Sequence, residues 1–250
     1  MTQRFVLMMY SICVLGVVAT TADAQDSEYP EVTYPELPAT GASAQAFVPA
    51  EWGLEYLKTG DLNKDKRDDL VFVLRMRRQA NIVSNEGLGV PEFDTNPRIL
   101  GVAFADGDGY RLALQDRTLI PRPDSPTMDD YLQDEEALAV RRGAFAVTLL
   151  SWSSAGSWST STSTFTFRYD GACFRLIGYD NDYMHRGSGQ TLKTSVNFAT
   201  GKAEFEQGSI EDDGPGERRA VNARGLRQPC LQDIGNGFEF DPGVSSPFEG

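Results

Sequence analysis

One histidine, His185, stands in 250 residues, so a zinc site built from several imidazoles is out of reach. Positive charge is also scarce. Lysine and arginine number 23 against 36 aspartates and glutamates, a net charge of −13. Such a surface cannot neutralise phosphates, which argues against nucleic acid and against an anionic membrane. No Gly-x-Ser-x-Gly elbow occurs, so nothing marks a strand–turn–helix nucleophile. No segment of ten or more residues keeps a convincing helical period. The chain does have 40% hydrophobic and 10% aromatic residues, enough to build a core and to exclude disorder throughout.

The N-terminus has the pattern of an export signal. Arg4 supplies the positive end and residues 5–18 form a nearly unbroken apolar run, short for a membrane span. Ala22-Asp23-Ala24 offers the small-x-small pattern of a cleavage site, with Gln25 as the first mature residue. A retained membrane anchor is the alternative. The expected organisation is a signal peptide at 1–24, a flexible Pro-containing linker at 25–46, one β domain at 47–240 and a disordered tail at 241–250. The mature chain would then be periplasmic or secreted, with no membrane span. Of the three cysteines, Cys13 would leave with the signal, leaving Cys173 and Cys230 in an oxidising compartment. A bridge between them would close a loop of about 57 residues and contribute about 4 kcal/mol on the chain-entropy estimate. Two free thiols on separate strands is the other possibility.

Short apolar runs separated by turn residues predict strands at 70–74, 99–104, 110–114, 145–150, 165–169, 174–179, 195–198 and 203–206. Glycine-bearing turns at 106–109, 141–143, 170–171 and 199–202 join several of them as antiparallel hairpins. The fold class is therefore all-β: an antiparallel meander of about 8–10 strands forming a sandwich or propeller-like assembly, with little helix. Thr127 followed by Asp130 suggests the start of one short helix at 127–131.

The densest chemical signal is Gly60-Asp61-Leu62-Asn63-Lys64-Asp65-Lys66-Arg67-Asp68-Asp69, followed by the apolar run Leu70-Val71-Phe72-Val73. Side-chain oxygens of Asp61, Asn63, Asp65 and Asp69, with the carbonyl of Arg67, suit one hard cation such as Ca²⁺. The loop and its strand resemble the FG-GAP (VCBS-type) repeat of integrin-like β-propellers, over about fifteen residues. That resemblance implies a weak structural calcium site. Lys64 and Lys66 stand where the repeat usually has glycine. Lys64, Lys66 and Arg67 also oppose the charges of Asp61, Asp65, Asp68 and Asp69, so a metal-free acidic turn is the competing reading.

Over nearly its mature length the chain resembles a group of exported bacterial proteins of unassigned activity that carry one such loop. The resemblance rests on the loop, Asp94-Thr95-Asn96-Pro97-Arg98-Ile99, Phe165-Thr166-Phe167-Arg168-Tyr169, Leu176-Ile177-Gly178-Tyr179 and Ser209-Ile210-Glu211-Asp212-Asp213. It implies class and location and carries no chemistry.

Other candidates have plainer explanations. His185 could serve as a base beside Ser188 or Asp182, yet a lone histidine in a Gly/Asp-rich loop is usually hydrogen-bonded locally. Trp152 and Trp158, in a Ser-rich stretch, could stack on sugars, or simply pack in the core. Asp134-Glu135-Glu136, Asp106 with Asp108, and Glu211-Asp212-Asp213 could supply paired carboxylates for glycoside hydrolysis, or merely solvate turns. Three functions remain in view: a non-enzymatic binding or structural module of the cell envelope, an inhibitor or immunity-type partner of another exported protein, and an envelope-polymer (glycan) hydrolase. The partner would be an envelope protein or polymer.

Overall fold

The computed structural model describes residues 29–212 and 214–248. The expected signal segment, residues 1–24, and Cys13 lie outside them. Among the described residues fourteen strands appear, and the only helical pieces are five 3-10 turns of three or four residues. No helix there is long and apolar enough to cross a membrane.

The key strand is β3 (Asp69–Met76), whose residues are apolar on both sides. Its neighbours are β2 (Trp52–Gly60) and β6 (Arg98–Asp106), then β7 (Gly109–Asp116) and the two-residue β1 (Thr40–Gly41), giving a five-stranded antiparallel sheet in the order β1-β7-β6-β3-β2. Val71 and Val73 face one side, while Leu70, Phe72, Leu74 and Met76 face the other, as the period of a strand requires. Both faces are covered.

On the first side lies a seven-stranded meander of β8 (Leu138–Arg141), β9 (Ala144–Ser151), β10 (Ser159–Tyr169), β11 (Phe174–His185), β12 (Gln190–Asn197), β13 (Lys202–Ser209) and β14 (Glu217–Asn222). Every pair is antiparallel and consecutive in the chain. The β8–β9 turn shows why so few residues suffice: Arg142 and Gly143 both take positive φ, the conformation whose twist matches a two-residue hairpin. Phe145, Phe165, Phe167, Phe174 and Phe205 of this sheet share one core with Val71, Val73, Leu100 and Val102. The fold is thus the sandwich form of the expected all-β class, and no sheet closes into a barrel. A third, two-stranded sheet joins β4 (Ile82–Ser84) to β5 (Glu92–Asp94).

The second side is covered by the N-terminal segment. Residues 29–46 were expected as a flexible linker; instead they form a strap docked on the sheet. Leu37, Ala44 and Phe47 are buried with Phe72, Leu74 and Ile99, and the Phe47 and Phe72 rings stack at 5.5 Å. Extended Pro-containing backbone exposes its carbonyls, and these accept side-chain donors. Gln115 Nε2 donates to Pro35 O at 2.7 Å, and Arg122 Nη1 to Pro30 O at 2.8 Å. The strap binds because β3 and β6 would otherwise leave an apolar face in water. Gly101 is the cross-strand partner of Phe72, and because a Cβ there would stand 2.2 Å from the Phe72 ring, glycine makes room for that ring under the strap.

Two other expectations need correction. The tail at 241–250 is packed as far as residue 248: Val244 and Phe248 rest on the core, Arg219 Nη1 donates to Pro247 O at 2.9 Å, and its guanidinium lies 4.5 Å from the Phe248 ring centre. Residues 127–131 form no helix. Met128 bridges Ser153, and Asp129 N donates to Trp152 O at 3.0 Å, so the backbone groups a helix needs are engaged across the sheet edge. A disulfide joins Cys173 and Cys230, with Cα atoms 5.9 Å apart, pinning the segment before Leu231 beside β11.

If the strap is part of the fold, Phe47→Ala will lower unfolding free energy in urea by about 3–5 kcal/mol. It will also open residues 29–46 to limited proteolysis.

Candidate functional site

The aspartate loop connects β2 to β3, closed by the Gly60–Asp69 pair. Asp61 organises it. Its Oδ1 accepts from the backbone N–H groups of Lys64 (2.6 Å) and Asp65 (3.1 Å), and its Oδ2 from that of Lys66 (3.0 Å). Asn63 Oδ1 accepts from Asp65 N at 2.9 Å, and Asp65 Oδ1 from Arg67 N at 2.8 Å. To direct these donors inward, Lys64 and Lys66 adopt φ of 70° and 69°. That left-handed backbone costs an L-residue about 1 kcal/mol or more, and both are the positions where the resembling repeat has glycine.

Asp69 is fully buried. Its Oδ2 accepts from Leu62 N at 2.8 Å and its Oδ1 from Ala105 N at 2.9 Å, tying the loop to β6. Burial pushes the Asp69 carboxyl above its usual range and the nearby Asp65 charge adds to this, while the two N–H groups pull it back. Arg67 reaches out of the loop and donates to Gly107 O at 2.6 Å. A Cβ at Gly143 would lie 3.5 Å from the Asp61 carbonyl oxygen. The turns at 60–69, 106–109 and 141–144 therefore meet at one corner of the sandwich.

Among the described residues Lys64, Lys66 and Arg67 form no ion pair with the loop carboxylates. The internal neutralisation anticipated from the sequence is not made by direct pairing. Asp61, Asn63 and Asp65 come together around shared donors, with Asp69 behind them. No three His, Cys, Asp or Glu side chains among the described residues form a metal cluster by themselves. Asn63 and the Arg67 carbonyl are the further oxygens this loop would have to supply.

The remaining sequence candidates are dispersed. His185 Nδ1 lies 2.9 Å from Ser188 Oγ and accepts from Ser188 N at 3.1 Å, the geometry of a local turn. Asp182, three residues before His185, sits on the opposite face of β11 and does not orient the pair. Asp134 caps a 3-10 turn and Glu135 meets Lys58 at 3.4 Å. Asp106 pairs with Arg111 at 3.5 Å. Asp213 lies outside the described residues. Trp152 is covered by the Arg186 guanidinium at 5.0 Å, whereas Trp158 is 68% exposed.

A charged cluster escaped the sequence reading. Arg98 opens β6 and is 1% exposed. Glu55 accepts from its Nε at 2.6 Å and Nη2 at 2.8 Å, and Asp130 Oδ2 from Nη2 at 2.7 Å. Arg75 adds contacts to Asp94 (2.9 Å), Asp130 (3.1 Å) and Glu55 (3.4 Å), beside a surface cavity of about 330 Å³. Burial alone would raise the Asp130 carboxyl, but the Arg98 hydrogen bond and charge, helped by Arg75, bring it below the usual range. The three carboxylates are thus committed to guanidinium partners and act as a clamp across β2, β3, β6 and the 128–132 segment. Its only sequence signal is an arginine directly after Asn96-Pro97 at the head of an apolar strand.

Arg98 is the buried member of the cluster, and its removal leaves Glu55, 14% exposed, and Asp130, 37% exposed, without their main partner, so Arg98→Ala will cost about 3 kcal/mol in urea unfolding, the lower end for a broken buried pair. Because folding lowers the Asp130 pKa from 3.8, its contribution is complete above that pH and is lost as pH falls through the folded value. An acid titration will therefore show a shallower stability loss below about pH 4 for Asp130→Asn than for the wild type.

Comparison with known protein families, with curated proteins and with solved structures yields no match for this chain.

Proposed function

We propose that this chain is an exported, non-enzymatic β module with a binding or structural role in the cell envelope, whose aspartate corner holds one weak structural calcium ion. The observation that carries the calcium reading is the corner itself. A loop with four aspartates, one of them fully buried and raised in pKa chiefly by that burial, meets two other hairpin turns without any ion pair to its own lysines. A divalent cation there would relieve that repulsion. Asp61, Asn63, Asp65 and Asp69 side chains and the Arg67 carbonyl are the groups that would hold it, and its role would be to stiffen the junction. The Cys173–Cys230 bridge is compatible with an oxidising compartment. Commitment of the Glu55, Asp94 and Asp130 carboxylates to arginines favours a structural over a catalytic use of that cluster.

Calcium titrated into the EDTA-treated protein will bind with a Kd of about 10⁻⁴ to 10⁻³ M, the weak extracellular range. At tenfold excess over Kd it will stabilise the fold by about 1.4 kcal/mol. Asp61→Ala will abolish both effects. An unchanged melting curve at millimolar calcium, with no heat of binding, would refute the calcium site. Export is checked separately, by finding Gln25 as the mature N-terminus in a periplasmic or culture fraction.

A further inference from the structure

We propose that the far end of the seven-stranded sheet is a shelf that binds a neutral glycan, with Trp158 as its stacking platform. Strand register defines the shelf. Phe165, Tyr179 and Val196 are cross-strand neighbours on the core face of β10, β11 and β12. Further along the same face come Ser161, Tyr183, Leu192 and Gln207, with Leu192 still packed on the core, then Ser159, His185, Gln190 and Ser209. Phenylalanine gives way to serine along β10 on one face, the change expected where a sheet outruns its core. Gln190 and Gln207 are exposed.

The aromatic element is held in place. Arg186 N donates to Trp158 O at 2.7 Å, and Arg186 Nη2 donates to Ser153 O at 2.6 Å and Ser157 O at 2.5 Å. The indole and the His185 ring both touch Gly187: a Cβ there would lie 3.4 Å from Trp158 Cε3 and 3.2 Å from His185 Cε1. A side chain there would meet the indole at ordinary contact distance and press the imidazole back by a few tenths of an ångström. Beside them Tyr183 OH and Ser159 Oγ are 3.0 Å apart. Because Ser188 N donates to His185 Nδ1, the neutral imidazole carries its proton on Nε2, which has no partner among the described residues.

A fixed, exposed ring with an imidazole beside it, and hydroxyls and amides further across the sheet, matches a pyranose, which has an apolar C–H face and a polar edge. A protein partner fits less well. A stable interface buries about 800 Å² on each side around an apolar centre. Here the exposed large apolar residues are Trp158 and Ile210, the latter seated against Gly189. With a net charge of −13, and Glu211, Asp212 and Glu217 nearby in the chain, anionic sugars would be repelled.

This assignment deepens the proposed binding role and rests on it. The test is calorimetric and fluorescence titration of the wild type with cellotetraose, chitotetraose and maltotetraose, with polygalacturonate as an anionic control. At least one neutral tetrasaccharide will bind saturably and perturb tryptophan emission. Trp158→Ala will weaken that binding about tenfold or more and Tyr183→Phe about threefold, while Leu57→Ala on β2 will leave it unchanged. No binding of any neutral sugar at about 5 mM, equal binding by Trp158→Ala, or preference for polygalacturonate would overturn the proposal. Circular dichroism confirms that each variant folds. Export and calcium response are read on the wild type in separate assays, so their success alongside glycan failure removes only the shelf.

Discussion

Strand β3 is apolar on both faces, and a sheet with two apolar faces must be covered twice. Most of the structure follows from that requirement. The seven-stranded meander covers one face and the N-terminal strap the other. At about 25 cal/mol per Å² of apolar surface removed from water, neither layer is dispensable. The strap has no hydrogen-bonded structure of its own beyond β1 and one 3-10 turn. Its order comes from Phe47, Leu37 and Ala44 meeting a surface already formed.

The two ends of β3 are fixed by charge. At its start, buried Asp69 accepts backbone donors from its own loop and from β6. Near its end, Arg75 joins Arg98, Glu55, Asp94 and Asp130. Both arrangements offset the cost of burying charge with hydrogen bonds that join different strands, and both specify register: sliding β3 by one residue would turn its valines toward the strap, its larger side chains toward the meander, and unmake both sets of bonds. The aspartate corner is therefore structural first, and a cation there would add to an existing constraint.

Much of this organisation was legible from local signals. The glycine turns at 106–109, 141–143, 170–171 and 199–202 each join consecutive strands, because positive φ in a tight turn is a purely local demand. The run at 70–74 identifies β3, since few patterns other than a doubly buried strand are so continuously apolar. Strand β2 was missed because its Gly53, Glu55, Lys58 and Thr59 interrupt the alternation. Strand β14 was missed because Glu217, Arg218 and Arg219 suit an exposed edge. The strap read as a linker because its composition is polar and Pro-rich, and what orders it lies far along the chain. The Arg98 cluster failed for a similar reason: Glu55, Arg98 and Asp130 are dispersed in sequence, and nothing local reveals which charges are buried together. The Trp158 shelf was visible only as composition until strand register put Tyr183 and His185 on the same face.

Native-state hydrogen exchange tests the central claim most directly. If the doubly covered strand and its buried aspartate hold the fold together, the amides of β3 and β6 will exchange last, through global unfolding. The Leu62 and Ala105 amides, which donate to Asp69, will share that protection although Leu62 lies in a surface turn. Exchange of β3 as fast as edge strand β14, or of Leu62 at the rate of an open loop, would contradict the account.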